Sequence, residues 1–141
     1  MMWDRRFLEL AKCVASWSKD PSTKTGSVIV RPDKTVASMG FNGFPRGIAD
    51  DPALLHEREE KYKRVIHCEM NAILFAREPL NGYTLYNWPF CSCARCAVHV
   101  IQAGIIRVVY PDAPCPDRWK DDTELAERLF VEAGVATERV R

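Results

Sequence analysis

The chain lacks long apolar runs and has almost no net charge. No run approaches the roughly 18 apolar residues that a membrane-spanning helix needs, so no span is predicted. Its 20 Lys and Arg against 19 Asp and Glu do not favour a nucleic-acid partner, because phosphates select basic surfaces. The charged start, residues 1–6, has no secretory-signal pattern. We therefore expect a cytoplasmic protein.

Apolar residues, in contrast, are plentiful. They make up 47% of the 141 residues, which predicts one compact domain over residues 1–141. Apolar spacing indicates the helices and strands, and prolines and glycines mark their ends. Helices are predicted at 3–17, 68–77, 93–103 and 121–134, and strands at 25–31, 35–40, 84–88, 105–110 and 135–140. Residues 48–66 are expected to form a loop with some helix, and residues 111–119 a loop.

The order of these elements predicts the fold class. The first two strands read as an antiparallel hairpin around a proline turn. The later strands alternate with helices, and such units favour parallel pairing with right-handed crossovers. We therefore expect an α/β protein, a three-layer α/β/α sandwich on a five-stranded mixed sheet.

Metal binding is suggested by the uneven distribution of the six cysteines. Cys93 and Cys96 are three residues apart at the start of a predicted helix, so their sulfurs share one helical face. The positive end of that helix favours the thiolates that bind metal. His67 opens another predicted helix and could be a third ligand, with Glu69 two residues later.

Three protein ligands are typical of a catalytic zinc, which keeps a fourth position open for water. A carboxylate at Glu69 would then carry protons and would not bind the metal. Two alternatives remain open from spacing alone. Cys91 could replace Cys93 or Cys96 as a ligand, and Cys91 or Cys68 could close the site as a fourth ligand in a zinc-stabilised binding module without activity.

Further motifs extend the pattern along the chain, at residues 18–24 with Gly26, at 40–45, at 67–73 and at 102–105. With His67, Glu69, Cys93 and Cys96 they resemble the zinc-dependent cytidine and deoxycytidylate deaminase superfamily, whose known signature pairs His-x-Glu with Cys-x-x-Cys. The resemblance covers almost the whole chain and is strongest to deoxycytidylate deaminases of phage and bacterial type.

This resemblance implies the cytidine deaminase-like fold and hydrolysis of the exocyclic amine of dCMP, giving dUMP for thymidylate synthesis, and ammonia. It implies His67, Cys93 and Cys96 as ligands of one catalytic zinc, and Glu69 as the proton carrier at carbon 4 and nitrogen 3 of the base. Residues 48–66 contain no cysteine, so a second, structural zinc is not expected.

Four further residues are candidates for the substrate side of the site. Asn42 can both donate and accept hydrogen bonds, Lys24 could meet the phosphate, and Tyr110 ends a buried strand where open α/β sheets bind ligands. Cys68 stands where the family has alanine, and Ser92 where it has proline. These two departures bear on the shape of the base pocket, and Cys68 is included among the candidate pocket residues.

The same resemblance implies further partners and some rival substrates. Members are commonly homo-oligomers, hexamers or dimers, and some respond to dCTP and dTTP with Mg²⁺; a phage-encoded member would work in the host cytoplasm. The alternative substrates are dCTP, cytidine and the adenosine of transfer RNA. Transfer RNA is disfavoured because the near-neutral charge does not suit a phosphate-rich partner.

Overall fold

A computed structural model describes residues 2–141, and its centre is one five-stranded sheet of order β2-β1-β3-β4-β5. Strands β1 and β2 are antiparallel, β3 is antiparallel to β1, and β3, β4 and β5 run parallel. The strands are β1 Gly26–Val30, β2 Val36–Phe41, β3 Thr84–Trp88, β4 Arg107–Pro111 and β5 Ala136–Val140. The helices are α1 Met2–Ala15, α2 Pro52–His56, α3 Arg58–Arg64, α4 Cys68–Phe75, α5 Ala94–Gln102 and α6 Asp117–Ala133.

Side-chain alternation along the central strands produces the three layers. Val28 and Val30 point to the face covered by α1, whereas Ile29 between them packs into the core formed with α4, α5 and α6. Both faces are covered, so β1 is buried along its whole length. The mixed sheet and the three-layer α/β/α arrangement predicted from the sequence are confirmed.

Most predicted boundaries differ from the observed ones by one or two residues, and the start of the last helix differs by four. Helix α1 was predicted to extend to residue 17, but it ends at Ala15, and Trp17 is exposed beyond it. The helix therefore ends about one turn before Asp20-Pro21, the next helix-breaking pair in the chain. Helix α6 begins at Asp117 and not at residue 121, because Pro116 directly precedes it and the backbone N–H of Trp119 already bonds the Pro116 carbonyl at 2.9 Å. Residues 117–119 are thus the first turn of a helix.

Close packing of α4 against β2 determines how near the start of α4 lies to the sheet. A Cβ atom on Gly40 would lie 2.4 Å from the backbone nitrogen of Ala72 and 2.6 Å from the carbonyl oxygen of Cys68. Only glycine therefore allows α4 to lie this near the sheet. Within residues 2–141, no helix combines the length and apolar character that crossing a membrane requires.

Candidate active site

His67, Cys93 and Cys96 converge at the starts of two helices. His67 and Cys93 are the N-caps of α4 and α5, and both have extended backbone angles. His67 Nδ1 lies 3.3 Å from Cys93 Sγ and 3.4 Å from Cys96 Sγ, and all three donor atoms lie within 4.8 Å of one another. Tetrahedral zinc would separate a nitrogen and a sulfur ligand by about 3.6 Å, so the donor set fits zinc.

The other two nearby cysteines do not join this cluster. Cys68 Sγ instead bonds Ser27 and Glu69, and burial raises the pKa of its thiol well above the usual value. Burial likewise raises the pKa of Cys91 to about 12, so it keeps its proton. Among the described residues the donor cluster has three members, which matches an open zinc site and gives no fourth ligand for a closed one.

The electrostatics of the cluster favour a thiolate at Cys93. The hydrogen bond from Cys96 lowers the pKa of Cys93 to about 5, and the backbone N–H of Cys96 also points at Cys93 Sγ, at 3.4 Å. The hydrogen bond with Cys93 raises the pKa of His67, and the bond from Cys96 to Cys93 raises that of Cys96. Cys93 is therefore ready as a thiolate ligand, whereas zinc must displace protons from His67 and Cys96 to bind them.

Glu69 lies in the first turn of α4, buried beside the donor cluster. Only 5% of it is exposed, and its two carboxylate oxygens accept different hydrogen bonds. Cys68 Sγ donates to Oε1 at 3.0 Å, and Asn87 Nδ2 donates to Oε2 at 3.2 Å. Because His67 is the extended N-cap and not a helical residue, both it and Glu69 line the same cavity.

This cavity has a volume of about 420 Å³, and aromatic and cationic side chains line it beside the donor cluster. Aromatic rings form one side, where Phe90 and Trp119 pack edge to face with centroids 5.3 Å apart. Two exposed cations, Arg95 and Arg118, stand on its lining, and the Arg118 guanidinium lies 4.9 Å from the centre of the Trp119 ring. A cavity with aromatic rings and cations on its lining suits a planar heterocycle that bears an anionic group.

Two of the predicted substrate residues line the cavity. Cys68 lines its wall beside Glu69. Asn42 is buried there, but its amide is largely engaged: Oδ1 accepts from the backbone N–H of Thr25 at 2.9 Å, and Nδ2 donates to the carbonyl of Thr23 at 2.9 Å. Asn42 therefore also ties together the loops that form this side of the cavity.

The structure does not bring the other two to the cavity. Lys24 is exposed, and its ammonium group folds back onto the carbonyl of Ser18. Tyr110 points to the α6 side of the sheet, donates to Glu127 Oε2 at 2.7 Å, and lines a separate cavity of about 290 Å³. Lys24 and Tyr110 are therefore no longer candidates for contact with a substrate in this cavity.

Several residues of the cavity were missed by the sequence analysis. Lys61 is buried there with its Nζ 3.1 Å from Asp20 Oδ1, a pair 41 residues apart that no local pattern indicates. Trp119 was placed in a loop. Asn87 could have been predicted, because a polar side chain in a largely buried strand needs hydrogen-bond partners and therefore points to a functional or structural role.

Comparisons with known proteins identify the family. A model of the cytidine and deoxycytidylate deaminase zinc-binding region matches residues 1–111. An "uncharacterized deaminase in luxG 3'region" of Aliivibrio fischeri is 42% identical over 135 residues, 94% of this chain and 90% of that protein. The deoxycytidylate deaminase of Mus musculus is 34% identical over 139 residues, 94% and 76% of the two chains.

A crystal structure of a dCMP deaminase from the cyanophage S-TIM5 has the same fold. It superposes with a TM-score of 0.74 over 96% of this chain and 95% of that one, at 21% identity. The zinc-binding region of the family model also includes all three donors and Glu69, the residues that converge at the cavity. The chain therefore belongs to the cytidine and deoxycytidylate deaminase family of zinc-binding enzymes.

Proposed function

We propose that this protein hydrolyses dCMP to dUMP and ammonia at the cavity around Glu69. The observation that carries the proposal is the convergence of three zinc donors and a buried carboxylate on one wall of a slot large enough for a nucleotide. The deoxycytidylate deaminases among the relatives and the cyanophage enzyme solved with dCMP and dUMP support the choice of nucleotide.

His67, Cys93 and Cys96 are proposed to hold the zinc, which supplies a Lewis acid that makes water nucleophilic at neutral pH. Glu69 accepts the proton that water loses as it adds to carbon 4, and delivers it to ring nitrogen 3. The same carboxylate then takes the proton of the new hydroxyl group on carbon 4 and passes it to the departing amine, so that the carbon–nitrogen bond breaks, carbon 4 becomes a carbonyl and ammonia leaves. Because Glu69 is buried, bulk water is kept from competing in these proton transfers.

The remaining walls are proposed to hold the nucleotide. Trp88, Phe90 and Trp119 pack against the base, and Asn42 borders the sugar. Lys61 lines the cavity too, but its charge is already paired with Asp20. The phosphate contact is therefore assigned to the exposed Arg95 and Arg118.

Ammonia release from dCMP, dCTP, cytidine and transfer RNA, measured side by side on zinc-loaded protein, tests the proposal. We expect dCMP to give the highest kcat/KM, because it alone combines the small base with a single phosphate. Arg118→Gln should raise KM for dCMP and leave cytidine almost unaffected. Activity confined to transfer RNA, or absent from every nucleotide, would end the proposal.

Three further expectations concern the assembly, regulation and location of the protein. Assembly into a homo-oligomer, a dimer or a hexamer, stays a prediction, which light scattering on the purified protein checks. Regulation by dCTP and dTTP with Mg²⁺ stays a prediction, as does the location in a cytoplasm. A change in the dCMP saturation curve on adding either triphosphate with Mg²⁺ would support regulation, and an unchanged curve would contradict it.

A further inference from the structure

A buried polar cluster, made of Ser27, Cys68, Asn87 and Ser92, lies directly behind the Glu69 carboxylate. Each of the four is 3% exposed or less. They come from β1, α4, β3 and the segment before α5, and are brought together because Ser27 and Asn87 are paired in the antiparallel register of β1 and β3. Ser27 and Asn87 point to the same face of the sheet as their strand neighbours Ile29 and Leu85, the face that α4 and α5 cover.

Hydrogen-bond accounting fixes the direction of every contact. A carboxylate can only accept, so both groups that meet Glu69 are donors: the Cys68 thiol at Oε1 and the Asn87 amide nitrogen at Oε2. The second Asn87 amide proton goes to Ser92 Oγ at 2.7 Å. Ser27 gives its hydroxyl proton to Asn87 Oδ1, a stronger acceptor than sulfur, and its oxygen also lies 3.1 Å from Cys68 Sγ.

Asn87 is thereby held in one orientation. An amide turned over would place Oδ1 against the Glu69 carboxylate, so that two acceptors would face each other, whereas the hydroxyls of Ser27 and Ser92 can either donate or accept. With the amide nitrogen directed at Glu69, Ser27 donates to the oxygen end and Ser92 accepts from the nitrogen end. Both ends of the Asn87 amide are thus hydrogen-bonded, which holds its nitrogen against the Glu69 carboxylate.

Resting on the proposed deaminase function, we propose that Cys68 and Asn87 are positioning residues that clamp one carboxylate oxygen each of Glu69, with Ser27 and Ser92 holding the Asn87 amide. A glutamate side chain has a broad final torsion, so an unclamped carboxylate samples many orientations. Proton transfer requires hydrogen-bond reach to each successive atom, and a misplacement of about 1 Å can cost as much as 100-fold in rate. The clamp restricts the carboxylate to the orientation that serves this transfer.

The position of the clamp also gives a role to the two departures from the family motif. Cys68 replaces alanine and Ser92 replaces proline, and these residues form opposite ends of the cluster. An alanine at residue 68 could not donate to Glu69, and a proline at residue 92 could not accept from Asn87. The two departures therefore act together on the same carboxylate.

Steady-state kinetics with dCMP test the clamp. Cys68→Ala and Asn87→Leu, the second of similar size but without amide protons, should each lower kcat about tenfold, the expected effect of losing one hydrogen bond to a charged group. KM should change less than twofold, and zinc content should stay at one per chain. Cys68→Ser restores a donor and should recover most of the rate. If Asn87→Leu fails to fold, Ser92→Ala tests the same amide by removing its acceptor, with a smaller fall in kcat expected.

Two controls separate positioning from a general loosening. Cys115→Ala removes a thiol that hydrogen-bonds Thr123, and Asn71→Ala removes an amide that bonds the Phe41 carbonyl from the same helix as Glu69. Both should keep the wild-type kcat. An equal fall in the Asn71 variant, or wild-type kcat in Cys68→Ala together with Asn87→Leu or its Ser92→Ala substitute, would overturn the clamp.

A crystallographic measurement distinguishes failure of the clamp from failure of the proposed function. In crystals of zinc-loaded Cys68→Ala and Asn87→Leu, or Ser92→Ala in its place, the Glu69 carboxylate should rotate or occupy more than one position, while the three zinc ligands stay in place. A carboxylate unmoved in both variants would overturn the clamp whatever the substrate is. A wild-type enzyme inactive on dCMP would overturn the proposed function, and the crystals would still decide the clamp.

Discussion

At the scale of single residues, we propose different tasks for His67 and Glu69, although one residue separates them. Glu69→Gln keeps the shape of the side chain but cannot accept the proton from water, so kcat should fall by at least about 100-fold. Zinc should remain at one per chain, because Glu69 is not among the three donors. Metal analysis and dCMP turnover check both parts. Glu132→Gln, an exposed carboxylate on α6, is the matched control, and a near-wild-type rate in Glu69→Gln would remove Glu69 as the proton carrier.

Replacement of His67 should have the opposite signature. His67→Ala removes the imidazole that faces both sulfurs, so zinc and activity should be lost together. His99→Ala removes an exposed imidazole on α5, whose Nδ1 meets only the carbonyl of Arg95, and should retain both. Metal content after dialysis is the measurement. Full zinc content in His67→Ala would exclude this residue from the ligand set.

The residues that converge on the zinc site could be predicted because their signal is local. Cys93 and Cys96 share one helical turn, and His67 and Glu69 begin another. The residues that complete the cavity have no such signal. Lys61 meets Asp20 across 41 residues, and Asn87 meets Ser27 across 60, pairings that depend on strand order and loop path. The clamp is accordingly visible only in the folded chain.

At the scale of secondary-structure elements, the contact of β2 with α4 determines where the start of α4 lies. Gly40→Ala would place a methyl group against the backbone of Ala72 and Cys68, which cannot yield without moving the helix. We expect a loss of about 1–3 kcal/mol in unfolding free energy. Zinc affinity should weaken as well, because His67 caps this helix. Urea unfolding and zinc competition with a chelator provide the measurements.

Gly43→Ala is the matched control for this prediction. Gly43 lies three residues further along the chain, and nothing stands within 4 Å of a Cβ placed there. Its stability and zinc affinity should therefore remain near the wild-type values. An unchanged unfolding free energy in Gly40→Ala would show that α4 can move away from the sheet without cost.

The predicted elements were most accurate where apolar periodicity was strong, and least accurate at proline-rich ends. Strand β3 was predicted with its observed bounds. The start of α6 was missed because three prolines precede it, and proline both breaks a helix and favours its first turn. Because of this error, Arg118 and Trp119 were assigned to a loop and were not predicted to line the cavity, although both lie in the first turn of α6.

At the scale of the whole molecule, the sequence predicted the layers and the parallel half of the sheet better than the order of all five strands. Strand–helix–strand units make β3, β4 and β5 parallel neighbours by chain connectivity. The antiparallel pairing of β1 with β3 joins segments that are separated along the chain by β2 and three helices, and nothing local specifies it. That single pairing builds the clamp, because it brings Ser27 to Asn87.

Helix α1 is also joined to the sheet by a buried carboxylate, and acid should weaken this connection. Asp4 of α1 accepts from both terminal nitrogens of Arg107 on β4, at 2.9 and 2.7 Å, and from the Tyr86 hydroxyl on β3, at 2.7 Å. The hydrogen bonds from Arg107 lower the pKa of Asp4 below its usual value. A lowered folded-state pKa adds stability above the unfolded pKa, about 3.9, and loses it as pH falls through the folded value.

Asp4→Asn should therefore lower the free energy of unfolding by about 2 kcal/mol at pH 6, the scale of a hydrogen bond to a charged group. The loss should be smaller at pH 3, where protonation of Asp4 weakens the same interaction in the wild type. Urea unfolding of zinc-loaded protein at the two pH values measures the difference. Zinc release at pH 3 affects wild type and variant alike, so it cancels in the comparison. Asp121→Asn, an exposed carboxylate on α6, should follow the wild-type curve throughout. An equal cost of Asp4→Asn at both pH values would mean that shape, and not the charge on Asp4, joins α1 to the sheet.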